Sequence, residues 1–157
     1  MNASDKLAQR LALAVPALLL AGAYVGEYGF GLYPCEMCWW QRWPHFAAIA
    51  LALVSTVAAP KRAWIALAAL AILVSGLIGA YHAGVEYGWW EGVTACTNLA
   101  SSADGGDALE AIMNAPLVRC DVAAWTLAGI SLAGFNAVIS TLSAVAIFVL
   151  LAKDRRA

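Results

Sequence analysis

The sequence predicts an all-α membrane protein: a four-transmembrane-helix bundle with both termini inside the cell, two outer loops, and a short amphipathic surface helix in the second loop. Three observations lead there. Of the 157 residues, 63% are hydrophobic and 12% charged, with a mean hydropathy of +0.76. A soluble domain holds roughly 45–50% apolar and about 25% charged residues. Four stretches, Leu11–Gly26, Trp43–Pro60, Ala63–Val85 and Val122–Ala152, contain no Asp, Glu, Lys or Arg, and a span needs about 20 apolar residues. Finally, the cations are unevenly distributed. Lys6, Arg10, Lys61, Arg62, Lys153, Arg155 and Arg156 fall on the side of the termini, and only Arg42 and Arg119 on the other. The positive-inside rule places the termini in the cytoplasm.

The chain reads as one membrane domain, 1–157. The first span is expected near 9–28, with Arg10 snorkelling at one end and Glu27 among headgroups at the other. A cleaved signal peptide is the competing reading of this segment, since Ala21-Gly22-Ala23 resembles a cleavage site. Against it, the apolar run continues into Tyr24, Tyr28 and Tyr33. Gly22 and Gly26 form a G-x-x-x-G, which is a candidate for close helix contact and also frequent by chance.

The first outer loop covers about 29–42 and the second span about 43–59. Pro60-Lys61-Arg62 then makes a tight turn into a third span near 63–81. The second outer loop runs over about 82–127. Within it, Asp107 and Glu110 have capping-box spacing, and Leu109, Ile112 and Met113 share a helical face, giving the surface helix. The fourth span is expected near 128–151. Six of the seven Trp (Trp39, Trp40, Trp43, Trp89, Trp90, Trp125) fall on the outer side as an aromatic belt. A net charge of −1 gives no nucleic-acid footprint.

All four cysteines lie in the outer loops: Cys35 and Cys38 in the first, Cys96 and Cys120 in the second. Outer compartments are oxidising, so thiols there tend to pair. Cys35-Glu36-Met37-Cys38 is a C-x-x-C, whose small ring makes a labile disulfide. A Cys96–Cys120 pair would close a loop of about 25 residues, worth about 3–4 kcal/mol of chain entropy. Two purely structural disulfides are the bland alternative. A zinc site is disfavoured because Cys96 and Cys120 are far apart in sequence, so no metal is expected.

Arg42 follows Cys38 by four residues, on the same face if a helix begins near Cys38. A cation and a helix N-terminus both stabilise a thiolate. Pro44 suits that helix's first turn. His82 lies at the outer end of span three, able to donate to a lipid-phase cofactor or simply to pair with Glu86. His45 reads as an ordinary buried histidine.

Pro34-Cys35-Glu36-Met37-Cys38-Trp39-Trp40-Gln41-Arg42 resembles the PCxxCxxQR signature of the bacterial disulfide bond formation protein B (DsbB) family. Tyr81-His82-Ala83-Gly84-Val85-Glu86, Cys120-Asp121 and Trp125–Ser131 are also similar to it. The resemblance covers nearly the whole chain. It implies a quinone-dependent thiol oxidase of the bacterial inner membrane, with periplasmic loops and a monomeric state. Such a protein reoxidises a periplasmic thioredoxin-like dithiol protein of the DsbA type. Carried over, Cys96 meets the partner, Cys120 exchanges with Cys35, and Cys38 is released as a thiolate facing ubiquinone or menaquinone. Cys38, Arg42 and His82 are the implied quinone contacts. A vitamin K epoxide reductase-like enzyme is a neighbouring alternative, disfavoured because its C-x-x-C lies in a late span.

Overall fold

The computed structural model describes residues 2–93 and 118–153. Among these are helices α1 (Ala3–Phe30), α2 (Glu36–Val57) and α3 (Lys61–Glu86), a ribbon of β1 (Thr126–Leu127) and β2 (Ile130–Ser131), and helix α4 (Leu132–Lys153). Helices α1, α3 and α4 are long and apolar enough to cross a membrane. Cys96 and the surface helix expected over 107–113 lie outside the described residues.

Two helices start away from their expected limits for local reasons. α2 starts at Glu36 because Cys35 caps it in extended conformation, its sulfur accepting the Cys38 N–H. Pro44 therefore sits inside α2, not in its first turn. α4 starts at 132, not 128, because Ala128 and Gly129 both have positive φ (52° and 79°) and form the turn of the β1–β2 ribbon. Two consecutive positive φ angles suit a tight hairpin turn and cannot continue a right-handed helix. The Ser131 hydroxyl then caps α4 by accepting the Gly134 N–H at 3.1 Å. Tyr87, just past α3, holds the ribbon in place. Its hydroxyl donates to the Gly129 carbonyl (3.1 Å) and accepts from Ser131 N (3.0 Å).

α3 has the most extensive packing, against α2 on one side and α4 on the other. Close approach to α4 needs glycine on α3: a Cβ on Gly76 would lie 2.7 Å from Thr141 Oγ1, and one on Gly79 3.0 Å from the Ala133 carbonyl. These, not Gly22 and Gly26, are the close-contact glycines; a Cβ on Gly22 would meet nothing within 4 Å.

At one end of the bundle the core is built mainly of small residues: Ala8, Ala12, Ala48, Ala52, Ala68, Ala69 and Ala144 around Ile65, Ile72 and Ile147. Arg62 pairs with Asp5 (3.6 Å) and donates to the Leu151 carbonyl, joining the starts of α1 and α3 to the end of α4. The starts of α1 and α3 and the end of α4 thus meet at one end of the described bundle. Cys35, Cys38 and Cys120 lie away from it.

Candidate active site

The site begins with the helix that the C-x-x-C starts. Cys35 is the N-cap of α2 and Cys38 the third residue of its first turn, so both sulfurs lie at the helix's positive end. They are 3.1 Å apart, in hydrogen-bond contact. Cys35 Sγ also accepts from Cys38 N at 3.3 Å and lies 3.6 Å from His82 Nε2. The Cys38 thiol hydrogen bond is the strongest influence on the Cys35 thiol and lowers its pKa. Burial opposes this, and contact with His82 lowers it again, leaving Cys35 at about 5 instead of 9.0. In the dithiol state the thiolate is therefore Cys35, with Cys38 holding the shared proton. The sequence places thiolate character on Cys38 beside Arg42, whereas here the thiol with the lowered pKa is Cys35.

Arg42 is engaged elsewhere. Its Nη1 bonds Glu27 Oε2 at 2.6 Å, and its guanidinium lies between the Tyr24 and Trp39 rings, 4.8 and 4.9 Å from their centroids. A planar cation between two aromatic faces and a carboxylate is fixed in position. Glu27 is thus an ion-pair partner of Arg42.

His82 is buried against the thiols, and its tautomer follows from its neighbours. Asn136 Nδ2 donates to the Ser75 carbonyl (3.2 Å) and to Gln41 Oε1 (2.9 Å). Gln41 Nε2 is therefore the donor; it reaches the Met37 carbonyl (3.1 Å) and His82 Nδ1 (2.8 Å). With Nδ1 accepting, the His82 proton is on Nε2, facing Cys35 Sγ and, at 3.8 Å, Glu86 Oε1. Of the two readings of His82, the structure has the contact with Glu86; the Nε2–H that could donate to a lipid-phase cofactor faces Cys35 here.

Two cavities flank the cysteines. One, of about 300 Å³, is lined by apolar residues of α1 and α4 (Leu18, Ala23, Phe135) with Cys38, Gln41, Arg42, His45 and Asn136 at its polar edge. The other, of about 310 Å³, is lined by Cys35, Cys38, His82, Glu86 and Arg119. Cys120 is disulfide-bonded and belongs to one buried cluster with Cys35, Met37 and Val85. The structure thus brings together Cys35, Cys38, His82 and Cys120, sets Arg42 on the apolar cavity, and leaves Cys96 outside the described residues.

Cys35, Cys38 and His82 also place three donor atoms within 4.8 Å of one another. Two thiolates on one tetrahedral zinc would sit about 3.8 Å apart. The observed 3.1 Å is shorter and suits a redox pair.

The chain matches the family described as disulfide bond formation protein DsbB over residues 5–150. The chain belongs to the DsbB family. It is 31% identical over 160 residues to Disulfide bond formation protein B of Verminephrobacter eiseniae (strain EF01-2), covering 93% of this chain and 85% of that one. It is 23% identical over 139 residues to "Uncharacterized protein RP370" of Rickettsia prowazekii (strain Madrid E), covering 86% and 81%. No solved structure matches it. As a DsbB-family chain with apolar helices it is a membrane protein of disulfide-bond formation, with a thiol oxidoreductase role.

Sequence reasoning missed several residues of the site. Gln41 stands inside the signature motif but had no role there. Ser75 and Asn136 were hidden in apolar spans. A polar side chain in a span is expensive and usually functional, and that signal would have found both.

Proposed function

We propose that the protein is a four-span inner-membrane enzyme, with termini in the cytoplasm and cysteines on the periplasmic side, that reoxidises a DsbA-type dithiol protein at the expense of membrane quinone. α2 is the fourth span. The reading rests above all on one observation: Cys38 lines both cavities, one largely apolar and one bordered by the ionisable side chains of Cys35, His82, Glu86 and Arg119. A thiol pair so placed can take electrons on one side and release them on the other.

A quinone needs an apolar slot with polar atoms at one edge, and small-molecule sites run to roughly 300–1,000 Å³. The cavity between α1 and α4 has that character, with Arg42 and His45 at its edge and Cys38 as the sulfur that faces it. The residues present fit ubiquinone or menaquinone. When bound, a quinone supplies an acceptor for two electrons and two protons.

The partner's two thiols reduce the Cys96–Cys120 disulfide. Those two cysteines then reduce Cys35–Cys38, with Cys120 attacking Cys35. Closing the Cys35–Cys38 disulfide again releases two electrons and two protons toward the apolar cavity. His82 Nε2–H stabilises Cys35 whenever that sulfur is the leaving group, because a better-stabilised thiolate leaves faster. Arg42, held by Glu27, Tyr24 and Trp39, presents a fixed positive charge where negative charge develops on an acceptor oxygen.

The test is to mix the pure protein, a short-chain quinone and a reduced thioredoxin-like partner, and to follow quinone absorbance. Stoichiometric loss of quinone and partner thiols is expected. No quinone reduction with a competent partner would overturn the reading.

A further inference from the structure

Four buried side-chain atoms lack a hydrogen-bond partner among the described residues: Asp5 Oδ1, Trp64 Nε1, Glu86 Oε2 and His45 Nδ1. Of these residues only His45 lines the apolar cavity. It is 3% exposed.

Its other nitrogen is fully assigned. His45 Nε2 lies 3.0 Å from Asn136 Oδ1 and 2.9 Å from Ser75 Oγ. Asn136 presents oxygen there, because its nitrogen donates to the Ser75 carbonyl. The Ser75 hydroxyl gives its one proton to the Gln41 carbonyl at 2.8 Å, so toward His45 it can only accept. Both neighbours of Nε2 are acceptors, and Nε2 therefore carries the ring's proton. The neutral imidazole holds one ring proton and one lone pair. The remaining nitrogen, Nδ1, is a lone pair with nothing to accept.

We propose that His45 Nδ1 accepts a hydrogen bond from a hydroxyl of the quinol, so that the cavity prefers the reduced form of its ligand over the oxidised one. This rests on reading the apolar cavity as the quinone site. A quinone carbonyl only accepts and gives Nδ1 no proton; a quinol hydroxyl donates one. The chemistry balances as Cys35 and Cys38 lose two electrons and two protons while the quinone gains both. His45 adds no atom to that sum; it holds one of the two hydroxyl protons once delivered. Binding the product form more tightly draws electrons from the cysteines into the cavity, by linkage between ligand affinity and redox state.

The test uses the full-length protein with Cys35→Ser and Cys38→Ser, so that binding is measured without electron transfer. Affinities of a short-chain benzoquinone and of its quinol are compared by calorimetry under argon. His45→Gln keeps a donor where Nε2 stands and removes the acceptor at Nδ1. It should weaken quinol binding by about tenfold, the upper range for one hydrogen bond, and leave quinone affinity within about twofold. His45→Asn, which restores an oxygen near the Nδ1 position, should recover most of the loss. Equal changes in both affinities, or no change in either, would overturn the proposal. If His45→Gln changes nothing while Arg42→Ala weakens the quinone, the cavity reading stands and only the role of His45 fails. If neither form binds the parent protein, both fall together.

Discussion

The two cavities that meet at Cys38 differ in the side chains that belong to each alone. The one between α1 and α4 is apolar, and its fixed charge is Arg42, already balanced by Glu27. The other has Cys35, His82, Glu86 and Arg119 around it, and its Cys35 packs in one buried cluster with Cys120. Leu32, Tyr33, Cys38 and Ala124 are common to both. A thiol relay needs a polar, ionising side where sulfur exchanges with sulfur, and a dry side where a lipid-soluble ligand sits. Placing the C-x-x-C at the first turn of a helix supplies both: the N-cap sulfur falls on the polar side, and the sulfur three residues on spans the boundary.

The largest effect should come from removing that boundary. Cys38→Ala is expected to lower quinone reduction by about 10³-fold or more, since no disulfide can form across the two sides. Cys35→Ala should do the same but leave Cys38 able to bind a thiol-directed reagent from the apolar side. Comparable labelling of the remaining thiol by membrane-soluble and water-soluble maleimides in both variants would break the two-sided picture.

Arg42→Ala should act on the apolar side alone. It removes a cation fixed by an ion pair and two aromatic rings, and is expected to raise KM for quinone by roughly 10–100-fold, about 1.4–2.7 kcal/mol. Arg42→Lys should recover part of this, because a point charge survives and the planar fork does not. Exchange with the dithiol partner, measured without quinone, should be unchanged. A defect in that exchange would show that the cavities are not separate.

On the polar side, Cys35 has its pKa lowered to about 5. Its folded-state pKa lies below the ordinary thiol value, so the thiolate stabilises the reduced, folded protein above pH 5. That contribution grows up to the unfolded value near 9 and is lost as pH falls through 5. Thiolate absorbance at 240 nm should show one thiolate at pH 7, titrating near 5. His82→Ala should move that midpoint up by about one unit, about 1.4 kcal/mol. An unshifted midpoint would mean that Cys38 and the helix end act without the histidine.

Much of this was legible in the sequence. Charge-free runs located the helices, and the motif picked out Cys35, Cys38 and Arg42. What escaped was set by pairings across helices. Nothing along the chain says that Asn136 on α4 orients Gln41 on α2, or that Gln41 then fixes which nitrogen of His82 holds the proton. Arg42 is legible as a charge beside the C-x-x-C, but its partner Glu27 is on another helix. The start of α4 was misplaced because Trp125–Ser131 is apolar enough to read as span. Its structure is decided by two residues with positive φ and by a tyrosine from the end of α3.

That tyrosine gives the smallest and most even-handed prediction. The Tyr87 hydroxyl makes two hydrogen bonds to the β1–β2 ribbon, and Tyr87 lines neither cavity. The ribbon follows directly on the segment that carries Ala124, a wall common to both cavities. Tyr87→Phe removes both bonds and keeps the ring and its contact with Trp89. Because the hydroxyl bond to Gly129 is exposed, water replaces part of what is lost, and the cost should be about 1 kcal/mol of stability. Loosening a shared wall should affect the two sides together: KM for quinone and the rate of exchange with the partner should each worsen by about twofold. A change in one without the other would show that the ribbon belongs to a single cavity, and the comparison would then have to be redrawn with Ala124 on that side only.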